Sequence, residues 1–399
     1  MSDPRLTRRV NEMEESATIK MTQMARDLAA KGHNVISLSI GEPDFDTPDH
    51  IKDAAIEALK RGDTKYTPVP GTVPLRKAIV EKFKRDNNLI FDESQIVVSN
   101  GAKQSIANVV LALVEEGDEV ILFAPYWVSY KEIVKLAGGT PIEVKADINQ
   151  NFIITPDQLS KALTNRTKLI IFSSPCNPTG SVYTRTDLQA LAEILVNYPN
   201  VVVLSDEIYE YINFTHQHDS IGTFDSVRDR TVTVNGFSKG FAMTGWRLGY
   251  MGAPKWIAAA CNKIQGQFTS GAASFNQAAA AHALNSNLDS TNAMRAAFQE
   301  RRDIFVGLLS EIPGFKVNKP TGAFYVFPDI SHYFGKSANG NLISNADDLA
   351  LYILEEGHVA VVSGSAFGAD ECIRLSYAAS EESLREAVKR IKEAVSKLN

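Results

Sequence analysis

The stretch that decides the fold is TKLIIFSSP (167–175), then TRTDLQALAEILVN (184–197), then VVVLSDE (201–207). The first and third pieces are short, β-branched and nearly all apolar, as strands read when both faces of their sheet are covered. The longer piece between them reads as a helix, so the three together form a crossover that leaves two parallel strands in one sheet. The pattern continues outward in both directions. QIVVS (95–99) precedes KQSIANVVLALVEEG (103–117), EVILFAP (119–125) precedes WVSYKEIVKLAGG (127–139), and TVTVNGFS (231–238) follows. An α/β fold with a mostly parallel sheet is the expectation.

The two ends of the chain read differently. Residues 17–31 carry a helical pattern, with Ser16 as a candidate N-cap and Gly32 as a stop. A long helical stretch from 289 ends at Pro313-Gly314, and short strands (323–327, 372–378) and a terminal helix (381–398) follow it. This reads as a second, smaller α+β unit. Length alone, 399 residues, suggests two or three domains. The pattern places an N-terminal segment (1–45) with a small C-terminal domain (291–399), both set against a large domain (46–290).

Composition narrows the function classes. Apolar residues are 44% and charged residues 22%, values of an ordinary globular protein. The net charge of −6 gives no electrostatic reason to expect a nucleic acid or an anionic membrane as partner. Cys176, Cys261 and Cys372 are scattered, with no CxxC pair, which suits a reducing cytosol rather than a disulfide or zinc framework. The polar start MSDPRLTRRVNEMEES lacks the apolar core of a signal peptide, and no apolar run approaches the roughly 20 residues of a membrane span. A soluble, cytoplasmic protein is expected.

Familiar motifs are missing. There is no GxGxxG, HExxH or GxSxG, and Gly335-Lys336-Ser337 lacks the earlier glycine of a P-loop. His216 and His218, in a polar loop, are read as solvated, and no metal is expected. What stands out instead is a set of polar residues just after the strands, at the edge where ligands bind in open α/β sheets. Asn177 lies in SPCNPTG (174–180), Asp206 and Tyr209 in SDEIYE (205–210), and Lys239 in SKGFAMTGWRLGY (238–250). A lysine amine with an aspartate partner for a pyridinium nitrogen is what a pyridoxal-phosphate site requires.

With these segments the chain resembles the fold-type I, class-I aminotransferases of the aspartate aminotransferase family, in the bacterial branch that includes aspartate/prephenate enzymes. The likeness runs through SATIK (16–20), GEPDFDTP (41–48), KYTPVPG (65–71), SNGAKQ (99–104), PYWVSY (125–130), SPCNPTG, SDEIYE and IRLSYA (373–378), in family order. It implies a three-layer αβα large domain with a small α+β domain, and pyridoxal 5′-phosphate as cofactor. Lys239 would bond the cofactor aldehyde and later act as general base, Asp206 would pair with the ring nitrogen, and Tyr209 and Asn177 would donate to the phenolate oxygen. Gly101, Ala102 and Lys103, opening a helix, would offer backbone N–H groups to the phosphate, joined by Ser238 and Arg247. Trp127 would stack on the ring. Tyr66 would reach the phosphate of a neighbouring subunit, implying a homodimer with shared sites.

For the substrate, the resemblance implies that Arg374 clamps the α-carboxylate with help from Asn177 and Gly41. Ser16, Thr18 and Lys103 would meet a distal carboxylate, favouring aspartate and glutamate. The expected reaction is ping-pong transfer of an amino group to 2-oxo acids such as 2-oxoglutarate or oxaloacetate. Prephenate or a broader range of amino acids is the alternative, and a pyridoxal-phosphate lyase a remote one.

Overall fold

The computed structural model describes residues 3–215, 217–338 and 340–399. Its centre is a seven-stranded sheet. In chain order the strands are β1 (Ile96–Ser99), β2 (Glu119–Ala124), β3 (Thr140–Lys145), β4 (Thr167–Ser173), β5 (Val202–Asp206), β6 (Thr231–Gly236) and β7 (Gly249–Gly252). They lie side by side as β1-β7-β6-β5-β4-β2-β3. β7 alone runs antiparallel, paired with both β1 and β6.

The apolar runs are explained by packing on two faces. Successive side chains of a strand point to opposite sides of the sheet. Val120 and Leu122 of β2 join one buried cluster with Leu169, Ile171, Val202 and Leu204. Ile121 and Phe123 join the opposite cluster with Ile170, Phe172 and Val203. Helix α1 (Ala102–Leu113) covers the first face and α2 (Arg185–Leu195) the second. Thr184 and Asp187 close a reciprocal capping box at the start of α2.

Two strands escaped the sequence reading. β3 is an edge strand with a largely polar, half-exposed sequence, so it shows no apolar run. β7 is GYMG, short and glycine-flanked. A Cβ at Gly249 would lie 2.2 Å from the amide nitrogen of Ala102, so glycine there lets β7 lie against the start of α1.

The chain ends build a second core. Strands Val362–Ser363, Ile373–Ser376 and Tyr325–Val326 form a three-stranded antiparallel sheet. Ile36–Ser37 pairs in parallel with Val359–Ala360, which joins the N-terminal segment to the C-terminal one. Helices Asp289–Ser310 and Glu381–Val395 supply Phe298, Phe305, Leu384 and Ile391 to the shared core. The helix expected over 17–31 spans Ala17–Ala30 and stops at Gly32, whose φ is +94°. Among the described residues, no helix is long and apolar enough to cross a membrane. All three cysteines are free and buried.

Candidate active site

The parallel strands bring their C-terminal ends to one edge, and a cavity of about 340 Å³ opens there. Ser173 and Asp206 come from the last positions of β4 and β5, and Ser238 and Lys239 from the turn after β6. Trp127 follows β2, and Ala102 and Lys103 open α1. Ser16, Thr18 and Gly41 from the N-terminal segment and Arg374 from the small sheet close the space. Asn177, Tyr209 and Arg247, also named from sequence, line it too.

The electrostatics are those of a site held away from water. Asp206 is 4% exposed. Its Oδ2 accepts a hydrogen bond from Tyr130 (2.7 Å) and its Oδ1 one from the amide of Ile208 (3.2 Å). Burial, with the Glu207 charge beside it, outweighs those bonds and raises its pKa to about 6. Lys239 donates from Nζ to the carbonyl of Gly41. Burial, helped by the Arg374 and Arg247 charges, lowers its pKa to about 8. A lysine so depressed is within reach of the neutral amine at mildly basic pH.

Arg374 is 2% exposed, as few arginines are. Its Nη1 donates to Asn177 Oδ1 (2.9 Å) and its Nη2 to the carbonyl of Ser39 (2.6 Å), while Nε has no partner among the described residues. The guanidinium lies over the rings of Tyr325 (4.5 Å) and Phe367 (5.0 Å). Asn177 is therefore more than a turn residue: its oxygen is engaged by Arg374, and its amide nitrogen is left for the cavity. Tyr209 and Tyr325 share a hydrogen bond of 2.7 Å between hydroxyls, and burial pushes both phenols up.

Arg247 keeps a φ of +53°, a backbone conformation strained for a side-chain-bearing residue and typical of functional positions. Its Nη1 donates to the Thr244 carbonyl (2.9 Å), and Thr244 in turn donates to Glu42. A Cβ added at Gly101 would sit 2.6 Å from Arg247 Nη2, so glycine leaves room for that guanidinium. Lys103 Nζ lies 4.9 Å from the Trp127 ring centre, and burial plus the Arg247 charge lowers its pKa. Ser16 stands at the N-cap of helix Ala17–Ala30 yet caps nothing, so its hydroxyl is not consumed by the helix.

Three expectations need correction or qualification. Gly101 is not among the residues that line the cavity, and its amide lies 2.8 Å from the Ser99 carbonyl, whereas Ala102 and Lys103 do line it. His218 is not solvated. It is nearly buried, with Nε2 2.8 Å from Glu207 Oε2. Glu207, Glu210 and His218 carry metal-ligating groups close together, but the ammonium of Lys82 already pairs with Glu210 there. The polar loop gives no sign of this contact, because Glu207 is reached through the fold and not through the loop. His216 lies outside the described residues. Tyr66 is fully exposed and does not line this cavity.

Other lining residues went unnamed. Tyr130 and Tyr325 were visible only as the last residue of PYWVSY and the centre of AFYVF. Glu42 was visible within GEPDFDTP, and Thr244 within the lysine segment.

A lysine, a buried aspartate and a buried arginine around one cavity at the ligand edge of such a sheet fit an aminotransferase. The chain belongs to the family described as aminotransferase class I and II, whose model matches residues 33–391. It is 49% identical over 398 residues to the bifunctional aspartate aminotransferase and glutamate/aspartate-prephenate aminotransferase of Petunia hybrida, covering 98% of this chain and 83% of that one. The crystal structure of the aspartate aminotransferase from Rhizobium meliloti superposes with a TM-score of 0.96 at 41% identity, covering both chains fully. The aspartate aminotransferase from Thermus thermophilus with maleate superposes with a TM-score of 0.91 at 40% identity, covering 98% of this chain and 100% of that one.

Proposed function

We propose that this aminotransferase uses pyridoxal 5′-phosphate to move the amino group of aspartate or glutamate to 2-oxo acids, by a ping-pong scheme. The observation that carries the reading is Arg374, a buried guanidinium with an unpartnered Nε, in the same cavity as an amine of depressed pKa.

The cavity fits the cofactor by its donor set. Ser238 supplies a hydroxyl, Arg247 a cationic fork and the amides of Ala102 and Lys103 N–H groups for a phosphate at a helix start. Asp206 supplies the carboxylate for a protonated ring nitrogen, and its strain in the free protein is relieved by such a partner. Tyr209 and Asn177 are the donors for the phenolate oxygen, and Trp127 is the ring face for stacking. When bound, pyridoxal phosphate supplies an aldehyde that captures amino groups and a ring that withdraws electrons from Cα.

The chain's own residues do the rest. Arg374, with Asn177 and Gly41, holds the α-carboxylate and so fixes one pose for every amino acid. Lys239 Nζ takes the proton from Cα as a general base, its pKa lowered to about 8 by burial. Ser16, Thr18 and Lys103 meet the distal carboxylate. The Thermus thermophilus relative was solved with maleate, itself a dicarboxylate, which supports that assignment. Prephenate is the second reading, favoured by the activity named for the Petunia hybrida relative.

Three further proposals go with this one. The segments 1–45 and 291–399 act as one small domain against 46–290, supported by the pairing of Ile36–Ser37 with Val359–Ala360. The protein works as a homodimer in which Tyr66 serves the neighbouring site, supported by its full exposure and by exposed Ile56, Leu59 and Phe268. It is a cytoplasmic enzyme of amino-acid biosynthesis, supported by its free cysteines.

The test is to add single amino acids to the holoenzyme and follow the cofactor absorption band. Rapid conversion by aspartate and glutamate, with alanine and phenylalanine much slower, is expected. Conversion by phenylalanine or leucine alone refutes the dicarboxylate reading.

A further inference from the structure

Asp206 lines the cavity, but the next residue, Glu207, does not: it enters a buried polar knot. Glu207 Oε2 accepts from Asn87 Nδ2 (3.0 Å) and Ser220 Oγ (2.6 Å) and faces His218 Nε2 at 2.8 Å, while Oε1 accepts from Ser205 Oγ (3.0 Å). Asn87 also donates to Glu210 Oε2 (2.8 Å) and accepts from Lys82 Nζ (2.6 Å), and Lys82 pairs with Glu210. Lys82, Glu210 and Glu207 have side chains no more than 3% exposed.

The formal charges in this knot do not balance without His218. Two carboxylates, Glu207 and Glu210, face one ammonium, Lys82. Arg85 and Asp86, further along the same helix, pair with each other at 2.7 Å and cancel. Tyr211, on the turn, and Tyr250, on β7, stay protonated because burial pushes both phenols up. Asp219, beside His218 in the loop, lies 4.0 Å from Arg185. Among the described residues one negative charge is left over, and an uncompensated buried charge is strongly disfavoured. Burial works against a charged ring at His218. The charge and hydrogen bond of Glu207, with the charge of Glu210, outweigh it and raise the ring's pKa.

We propose that His218 is a positioning residue: it is the imidazolium counter-ion of Glu207 and thereby keeps the adjacent Asp206 ionised for the cofactor ring. The proposal rests on the reading of the site given above. The groups that act on Asp206 itself are Tyr130, the Ile208 amide, Lys239 and Glu207. Of these, Glu207 is the anion, and it opposes the ionisation of Asp206 unless its own charge is met. Through Ser205 and Glu207 the knot also holds the strand end and turn that carry Asp206 and Tyr209.

Two measurements test this. The first is a ring-proton NMR titration of histidine-labelled apoprotein. The His218 midpoint is expected above the ordinary value near 6.5, raised by the charge and hydrogen bond of Glu207. A midpoint at or below that value overturns the proposal, and this arm needs no variant to fold. The second is pyridoxal phosphate binding to apoprotein across pH. His218→Gln should shift the acid limb of binding upward by about one pH unit. His218→Lys, which keeps a cation, and the Glu207→Gln/His218→Gln pair, which removes both charges, should each restore the wild-type limb. A wild-type profile in a folded His218→Gln protein overturns the proposal. Failure of the wild-type apoprotein to bind pyridoxal phosphate at any pH overturns instead the reading of the site, and with it the role given to Asp206.

Discussion

Replacing Asp206 by Asn should make the cofactor-free protein more stable at neutral pH while crippling it as an enzyme. The carboxyl titrates near 3.8 when unfolded and at about 6 in the folded chain, with burial the chief cause. The folded state therefore holds this proton more tightly than the unfolded state. That contribution is fully present below pH 4 and is lost as pH rises through 6. Two pH units at about 1.4 kcal/mol each put the cost of the ionised form near 3 kcal/mol above pH 7. Asn has nearly the same shape and can accept from the Ile208 amide while Tyr130 accepts from its NH₂ group, so packing changes little. Urea unfolding of both apoproteins from pH 4.5 to 8 is the assay. Asp206→Asn should gain on the wild type as pH rises, by up to about 3 kcal/mol at pH 7.5. An equal or lower stability for the variant at pH 7.5, or a difference that does not change with pH, refutes the reasoning.

Other consequences follow from the same geometry. Arg374→Lys keeps the charge but loses the planar fork, so kcat/KM for aspartate should fall about 100-fold or more with the cofactor spectrum retained; steady-state kinetics checks this, and a loss under threefold contradicts it. Lys103→Ala should lower kcat/KM for aspartate about tenfold or more and leave alanine turnover unchanged, a ratio read from parallel assays of the two substrates. Tyr325→Phe removes the 2.7 Å bond to Tyr209 and should shift the pH midpoint of the cofactor absorption band by less than about one unit, as befits one hydrogen bond of about 1 kcal/mol. Spectrophotometric titration measures it.

The parts of the fold legible in the sequence are those where burial leaves a one-dimensional trace. β2, β4 and β5 are covered on both faces, and their apolar runs announce them. β3, half-exposed at the edge, and β7, built from two glycines around Tyr250 and Met251, leave no such trace. The site divides the same way. Asp206 ends a strand and Lys239 and Asn177 lie in the turns just after strands, so their place at the sheet's ligand edge follows from chain order. Tyr130 meets Asp206 across 76 positions and Tyr325 meets Tyr209 across 116, and nothing local to either tyrosine signals the meeting. The solvated reading of His218 fails for the complementary reason: its partner, Glu207, is set by the fold and not by the loop.

The central claim is that this cavity moves an amino group from one dicarboxylic amino acid to another oxo acid through Lys239. The most direct measurement incubates the holoenzyme with ¹⁵N-aspartate and unlabelled 2-oxoglutarate and follows both product pools by mass spectrometry, beside the Lys239→Ala variant. ¹⁵N-glutamate and oxaloacetate are expected in equal amounts with the wild type and neither with the variant. Release of ¹⁵N-ammonia or loss of carbon dioxide in place of ¹⁵N-glutamate, or undiminished transfer by Lys239→Ala, would contradict the claim.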